Sequence, residues 1–119
     1  MSDHPKIRNV LHPVADVSAA TAFYRGAFHL DTKFIDGDRY AALTCGDVTL
    51  ALVGPEEDVT GGVVAASFMV ESVASTLAAV QELGGSVILA PHDGPHETRA
   101  VIADPWGNAI VVYDTAFGT

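Results

Sequence analysis

Cysteine, tryptophan, lysine and long apolar runs are all scarce in this chain of 119 residues. The one cysteine, Cys45, cannot form an intramolecular disulfide, and its strand-like surroundings predict a small buried side chain. A chain without a disulfide framework is typical of a reducing cytoplasm. No apolar run approaches the roughly 20 residues that a membrane-spanning helix needs, and the polar, mixed-charge start of the chain differs from a signal peptide. We therefore expect a cytoplasmic protein that has no contact with a membrane.

Basic residues are missing from most of the chain, which has a net charge of −9, with six Lys and Arg against 15 Asp and Glu. Five of those acids precede Tyr40, so ten follow it, and Arg99 is the only Lys or Arg beyond that point. Nucleic acids and anionic membranes bind clustered Lys and Arg, so neither is expected as a partner. The acidic second half would attract a cationic small molecule, or it serves only solubility.

The most informative feature that is present is an internal repeat. The segments NVLHPVADVSAATAFYRGAF from Asn9 and AASFMVESVASTLAAVQELGG from Ala65 each combine an apolar strand, an acid within two residues, and an amphipathic helix. Short strands follow in both halves, and the last strand of each follows a glycine turn. Such a repeat predicts an α+β fold of two βαβββ modules. In the single domain 1–119, the predicted bounds are about 6–53 for the first module, 54–62 for a linker and about 63–114 for the second.

Hydrophobic spacing refines the elements within the modules. In the first helix, which Asp16 or Ser18 can cap, Phe23 belongs to the apolar stripe that should face the core. In the second module, strand six is predicted to end at Leu89, with the loop APHDGPHE leading to the next strand.

A helix covers one face of each predicted sheet, and the two curved opposite faces should enclose a cavity. Alternation along the strands assigns its lining. The predicted lining is Asn9, Leu11, Leu50, Leu52, Ala65, Ser67, Met69, Val111 and Tyr113. The predicted mouth is Tyr40, His92, His96, Arg99 and Trp106. By the same alternation His12 should face the helix.

Such a lining, mostly apolar with a few polar groups, is typical of a site for a small organic ligand. An aromatic ring at the mouth could stack on a planar or cationic ligand, and Arg99 could pair with a ligand carboxylate. Two alternatives stay open: the same side chains could fill a closed core, and Trp106 could serve only its own turn.

The segments PVADVSAATAFYRGAF and VIADPWGNAIVVYD resemble the vicinal oxygen chelate superfamily, which groups glyoxalases, extradiol dioxygenases, fosfomycin-modifying enzymes and bleomycin-resistance proteins. The resemblance extends from Arg8 to Asp114. It implies two βαβββ modules with paired sheets inside and helices outside, and it implies a homodimer.

In the metal enzymes of this superfamily, the resemblance implies one ligand from the first strand of each module, five residues before the Val that precedes the helix. It implies another from the last strand of each module, four residues after the turn glycine. Carried onto this chain, those positions are Asn9, Leu50, Ala65 and Val111. Three are aliphatic, and the amide of Asn9 is a weak neutral ligand. A divalent ion needs several converging oxygen or nitrogen donors, so we expect no metal cofactor.

These observations favour a metal-independent protein of the glyoxalase and bleomycin-resistance type that is not an enzyme. It would bind and sequester an aromatic or cationic compound, with antibiotic resistance as one such role. A metal-dependent lyase, isomerase or dioxygenase is one alternative. Another is a metal-free enzyme or accessory protein in which Tyr113, His96 or an acid at the mouth acts as the base. The catalytic residues are left unassigned.

Overall fold

The computed structural model describes residues 5–115. Within that range the chain divides into two compact units, one of residues 8–64 and one of residues 65–115 together with residues 5–7. Strands and helices follow the order βαβββ twice. This order confirms the α+β fold and the repeat predicted from the sequence. Neither of the two helices in residues 5–115 is long and apolar enough to cross a membrane.

The first unit is a four-stranded sheet with one helix. Its elements are β1 (Lys6–Pro13), α1 (Val17–Phe28), β2 (Asp31–Asp36), β3 (Tyr40–Cys45) and β4 (Val48–Val53). The strand order is β2-β3-β4-β1, and β1 runs parallel to β4 while the other pairs are antiparallel. We call this the first sheet.

The second unit repeats the arrangement. Its elements are β5 (Ala65–Met69), α2 (Val73–Glu82), β6 (Ser86–Asp93), β7 (Thr98–Ala103) and β8 (Ala109–Asp114). The strand order is β5-β8-β7-β6, with β5 parallel to β8 and the other pairs antiparallel. We call this the second sheet.

Helix α1 begins after Asp16, whose carboxylate accepts the backbone N–H of Ala19 at 3.0 Å. The helix buries Val17 and Thr21, whereas Phe23 is 60% exposed, so the prediction that Phe23 faces the core is wrong. Thr21 can be buried because its hydroxyl donates to the carbonyl oxygen of Val17 at 2.7 Å, which removes the cost of burying an unpaired polar group.

Two other local predictions are wrong. Strand β6 runs to Asp93 rather than ending at Leu89. It lies at the edge of the second sheet, where Pro91 is tolerated because an edge strand does not need every backbone N–H for pairing. The pairing of β6 with β7 continues to Asp93 through two register shifts. Cys45 is exposed, because it is the last residue of β3 and directly precedes the turn at Gly46.

The linker is held by one carboxylate. Asp58 accepts hydrogen bonds from the backbone N–H and the hydroxyl of Thr60, both at 2.9 Å, and from the N–H of Gly62 at 2.7 Å. Burial alone would raise the pKa of Asp58, but these hydrogen bonds outweigh it and hold the pKa below its ordinary value. The linker is therefore a defined turn rather than an open tether.

Helix α2 depends on an acid from β8. Asp114 is buried, and its Oδ2 accepts the N–H of Val73, the first residue of the helix, at 2.6 Å. We expect Asp114→Ala to lower the free energy of unfolding by about 1–3 kcal/mol, because it leaves a buried donor without an acceptor. Urea denaturation measures this loss. Asp114→Asn keeps an acceptor and should lose less, and an Asp114→Ala variant as stable as the parent would contradict the assignment.

Candidate ligand-binding faces

Each sheet packs one face against its helix. Under α1 the buried cluster consists of Val17, Ala41, Leu43, Leu50 and Leu52. Under α2 it consists of Val70, Val73, Leu77, Ala100, Ile102 and Val112. Because successive side chains of a strand point to opposite faces, the remaining strand residues occupy the face turned away from the helix. We call this the far face of each sheet.

The assignment of Leu50 and Leu52 to a ligand-binding face is wrong, because both pack under α1. Their neighbours Thr49 and Ala51, which pair with Asn9 and Leu11 across β1 and β4, occupy the far face instead. The error came from counting residues from a turn glycine in both modules. The turn has two residues between Cys45 and Val48 in the first hairpin and five residues between Ala103 and Ala109 in the second. Because the turns differ, the residue four positions after the turn glycine faces the helix in the first module and lies on the far face in the second.

The far face of the first sheet has one polar row and two further rows that carry one aromatic ring each. Across the four strands, the polar row is Asp31, Thr44, Thr49 and Asn9. The next row is Phe34, Ala42, Ala51 and Leu11, and the third is Asp36, Tyr40, Val53 and Pro13. The rings of Phe34 and Tyr40 lie 6.2 Å apart between centroids. Asn9, Leu11 and Tyr40 therefore share this face, whereas His12 contacts Tyr24 of α1, as its predicted position on the helix side requires.

Sequence reasoning missed a lysine on this face. Lys33 lies at a register shift between Thr32 and Phe34, and its Nζ donates to the hydroxyl of Thr49 at 3.0 Å. Strict alternation would place Lys33 and Phe34 on opposite faces, but a bulge brings both to the same one. No signal in the sequence marks this bulge. Alternation counted from Asp31 places Lys33 on the far face, whereas alternation counted from Asp36 places it on the helix side, so the sequence alone does not decide its face.

The far face of the second sheet brings together several residues predicted for the site. One row is Leu89, Val101, Val111 and Ser67, and the next is His92, Arg99, Tyr113 and Met69. Ser67 and Val111 are buried, whereas Arg99, Tyr113 and Met69 are half-buried and His92 is exposed. Whether these side chains line a ligand pocket stays a prediction.

A depression of about 270 Å³ lies at the β6–β7 hairpin. Its lining residues are His92, Gly94, Pro95, His96, Glu97 and Arg99. The carboxylate of Glu97 lies 4.0 Å from Nε of Arg99, at the limit of an ion pair, so Arg99 keeps most of its donors for another acceptor. His92, His96 and Arg99 all line this depression, and whether it is the mouth of a ligand pocket stays a prediction.

Within the second unit, Trp106 lies apart from His92, His96 and Arg99. It lies in the turn 104–108, at the opposite end of β7 from Arg99, and 82% of its surface is exposed. The carboxylate of Asp104 organises this turn by accepting from the side chain and the N–H of Asn108 and from the N–H of Trp106. These bonds lower the pKa of Asp104 below its ordinary value.

The metal-ligand positions implied by the resemblance need one change. Leu50 packs under the helix, so it does not lie on the far face. The residue of β4 that corresponds to Val111 is Ala51, because Ala51 pairs with Leu11 in the first module as Val111 pairs with Ser67 in the second. Alanine provides no donor either. Within residues 5–115 no group of three or more His, Cys, Asp and Glu side chains is placed to hold a metal ion. The expectation that no metal is bound stays a prediction.

Residues 6–112 match the family model of the glyoxalase/bleomycin resistance protein/dioxygenase superfamily. The chain belongs to this superfamily. A relative of 34% identity, an uncharacterized protein of Mycolicibacterium smegmatis, aligns over 113 residues, which is 95% of this chain and 96% of the relative. The match confirms the resemblance carried by the segments that begin at Pro13 and Val101, and it leaves open which of the superfamily's activities applies.

Solved structures show the same superfamily fold. A superfamily member from Vibrio splendidus 12B01 superposes with a TM-score of 0.74 at 17% identity, covering 93% of this chain and 99% of that one. The Streptomyces coelicolor methylmalonyl-CoA epimerase (S115T) in complex with 2-nitronate-propionyl-CoA gives a TM-score of 0.70 at 18% identity, with coverage of 94% and 95%. At such identities the likeness concerns the fold alone.

Proposed function

We propose that this superfamily member binds a small organic ligand without a metal ion, as a sequestering protein rather than an enzyme. The observation that carries the proposal is the row of His92, Arg99, Tyr113 and Met69 on the far face of the second sheet. The guanidinium and the phenol can orient a ligand through hydrogen bonds, and the thioether and the buried aliphatic neighbours can contact its apolar part. This combination is usual in small-molecule sites. Antibiotic sequestration in a cytoplasmic homodimer is one role compatible with this chemistry.

Ligand binding in the absence of metal is directly testable. Neutral, cationic and anionic single-ring aromatic compounds are titrated into the purified protein, and the shift in melting temperature is measured before and after EDTA treatment. We expect the shift produced by a binding compound to survive EDTA. A shift that EDTA abolishes and zinc, nickel or manganese restores would support the metal-dependent lyase, isomerase or dioxygenase instead. Native mass spectrometry of the same sample reports metal content, subunit number and any ligand carried through purification.

Arg99 should orient the ligand. We expect Arg99→Gln to weaken the binding of an anionic aromatic compound about tenfold, because a hydrogen bond to a charged group contributes about 1.5–3 kcal/mol. Isothermal titration calorimetry measures the change. Arg25→Gln is the matched control, since Arg25 is exposed in the last turn of α1 and the substitution alters the net charge equally. If both variants weaken ligand binding equally, the loss comes from the change in net charge and not from a direct contact with Arg99.

A metal-free enzyme is the second candidate. The titratable groups of His92 and Tyr113 share one row with Arg99, so a proton acceptor and an anion-stabilising group lie on one face. This candidate function is tested by measuring whether the protein catalyses exchange of the acidic C–H of an acyl-CoA thioester in deuterated water. Exchange that is lost in Tyr113→Phe or His92→Gln would support catalysis, and its absence would favour simple binding.

A further inference from the structure

A β-bulge places a cation on the far face of the first sheet. The register of β2 and β3 shifts between Thr32 and Phe34, so Lys33 is the extra residue of the bulge. Its ammonium group reaches across to Thr49 on β4, where it donates to a hydroxyl at 3.0 Å. Bulges of this kind redirect a side chain and are common beside binding sites.

The partner of Lys33 is unusual for so acidic a chain. The chain has 15 carboxylate side chains, yet the ion pairs among residues 5–115 involve Arg39 and Arg99 and none involves Lys33. Asp31 lies in the adjacent polar row but does not pair with it. A lysine ammonium has three donors, and its hydrogen bond to Thr49 uses one of them. No described carboxylate therefore forms an ion pair with Lys33.

The hydroxyl that holds Lys33 is itself fixed. Thr49 is only 8% exposed and lies in the middle of the sheet, between Thr44 and Asn9. Anchoring the ammonium at this point reduces its conformational freedom before any ligand arrives, and this lowers the entropic cost of binding. The side chains of Asn9 and Thr44 add neutral hydrogen-bonding groups to the same row.

An aromatic surface adjoins the cation. Phe34 follows Lys33 in the chain, lies on the same face, and leaves 57% of its surface exposed. Its ring is 6.2 Å from that of Tyr40, a spacing at which aromatic rings interact favourably. A planar ring could pack against Phe34 while an anionic substituent reaches Lys33.

We propose that the far face of the first sheet binds the carboxylate of an aromatic acid, with Lys33 pairing with the carboxylate and Phe34 contacting the ring. This inference rests on the proposed small-molecule function and adds a contact face on the first sheet to the row proposed on the second. The negative net charge and the acidic second half favour a cationic ligand, whereas this face selects an anionic one. The two predictions differ in the sign of the ligand's charge, so the binding of matched cationic and anionic ligands separates them.

The experiment compares benzoate, benzylammonium and benzyl alcohol, which share one ring and differ in charge. Each is titrated into the isotope-labelled protein, and amide NMR shifts give the dissociation constant and the affected residues. We expect benzoate to shift amides of β2 and β4 around Lys33 and Thr49. Lys33→Met should weaken benzoate binding about tenfold or more, in line with the contribution of a hydrogen bond to a charged group, while Lys33→Arg should retain much of it.

Lys6→Met is the matched control, because Lys6 is the only other lysine of the chain and the net charge changes equally. Benzoate binding that is the same in Lys33→Met and the parent would overturn the inference. If benzylammonium or benzyl alcohol binds while benzoate does not, small-molecule binding stands and the role of Lys33 fails. If none of the three shifts the amides of either sheet, the inference and the proposed function fail together.

Discussion

Replacing Leu50 with alanine is expected to lower the free energy of unfolding by about 2–5 kcal/mol, the range typical of a buried leucine. Leu50 is only 9% exposed and packs under α1 with Val17, Leu43 and Leu52. Truncation removes apolar contacts and leaves a cavity that the rigid β3–β4 pair can fill only in part. The effect on ligand binding should be small, because Leu50 faces the helix and not the far face.

Urea denaturation and ligand titration of the same variant test both halves of this statement. Leu11→Ala is the control: Leu11 is half-buried on the opposite side of the first sheet, so it should lose less stability and have the larger effect on a ligand bound at the far face. A Leu50→Ala variant that keeps its stability but loses ligand binding would show that Leu50 belongs to the site after all.

The repeat and the element order could be predicted because they depend on local patterns. The apolar strands, the helix caps and the glycine turns recur in both halves, and Asp16, one of the two predicted caps, does cap α1. Alternation also assigns Tyr113 to the face turned away from the helix, and alternation holds along the regular strands β7 and β8.

The errors arise where alternation is broken or cannot be anchored. Lys33 lies in a bulge, and a bulge depends on how two strands meet rather than on either strand alone. Leu50 was assigned by its distance from a turn glycine, but the two hairpin turns differ in length. Phe23 was placed by hydrophobicity, although the buried stripe of α1 includes Thr21, whose hydroxyl bonds to its own helix.

Gly85→Ala is expected to destabilise the protein by about 3 kcal/mol, at the upper end of typical overpacking costs. A Cβ at Gly85 would lie 2.7 Å from the carbonyl oxygen of Ala103 and 2.6 Å from Cγ1 of Val80. The position is fixed, because the N–H of Gly85 donates to the carbonyl oxygen of Val80 at 2.8 Å and that of Gly84 donates to Gln81. Both bonds close the C-terminus of α2, so the backbone of Gly84 and Gly85 cannot move away without losing them.

Gly26→Ala separates this steric effect from the general effect of removing a glycine. Both substitutions reduce the conformational entropy of the unfolded chain equally, but a Cβ at Gly26 meets nothing within 4 Å, and Gly26 lies inside α1. We therefore expect Gly26→Ala to raise the free energy of unfolding by about 0.5–1 kcal/mol, opposite in sign to Gly85→Ala. Thermal and urea denaturation of the two variants side by side measure the difference. Equal shifts would mean that β7 and the end of α2 do not approach as closely as the structure shows.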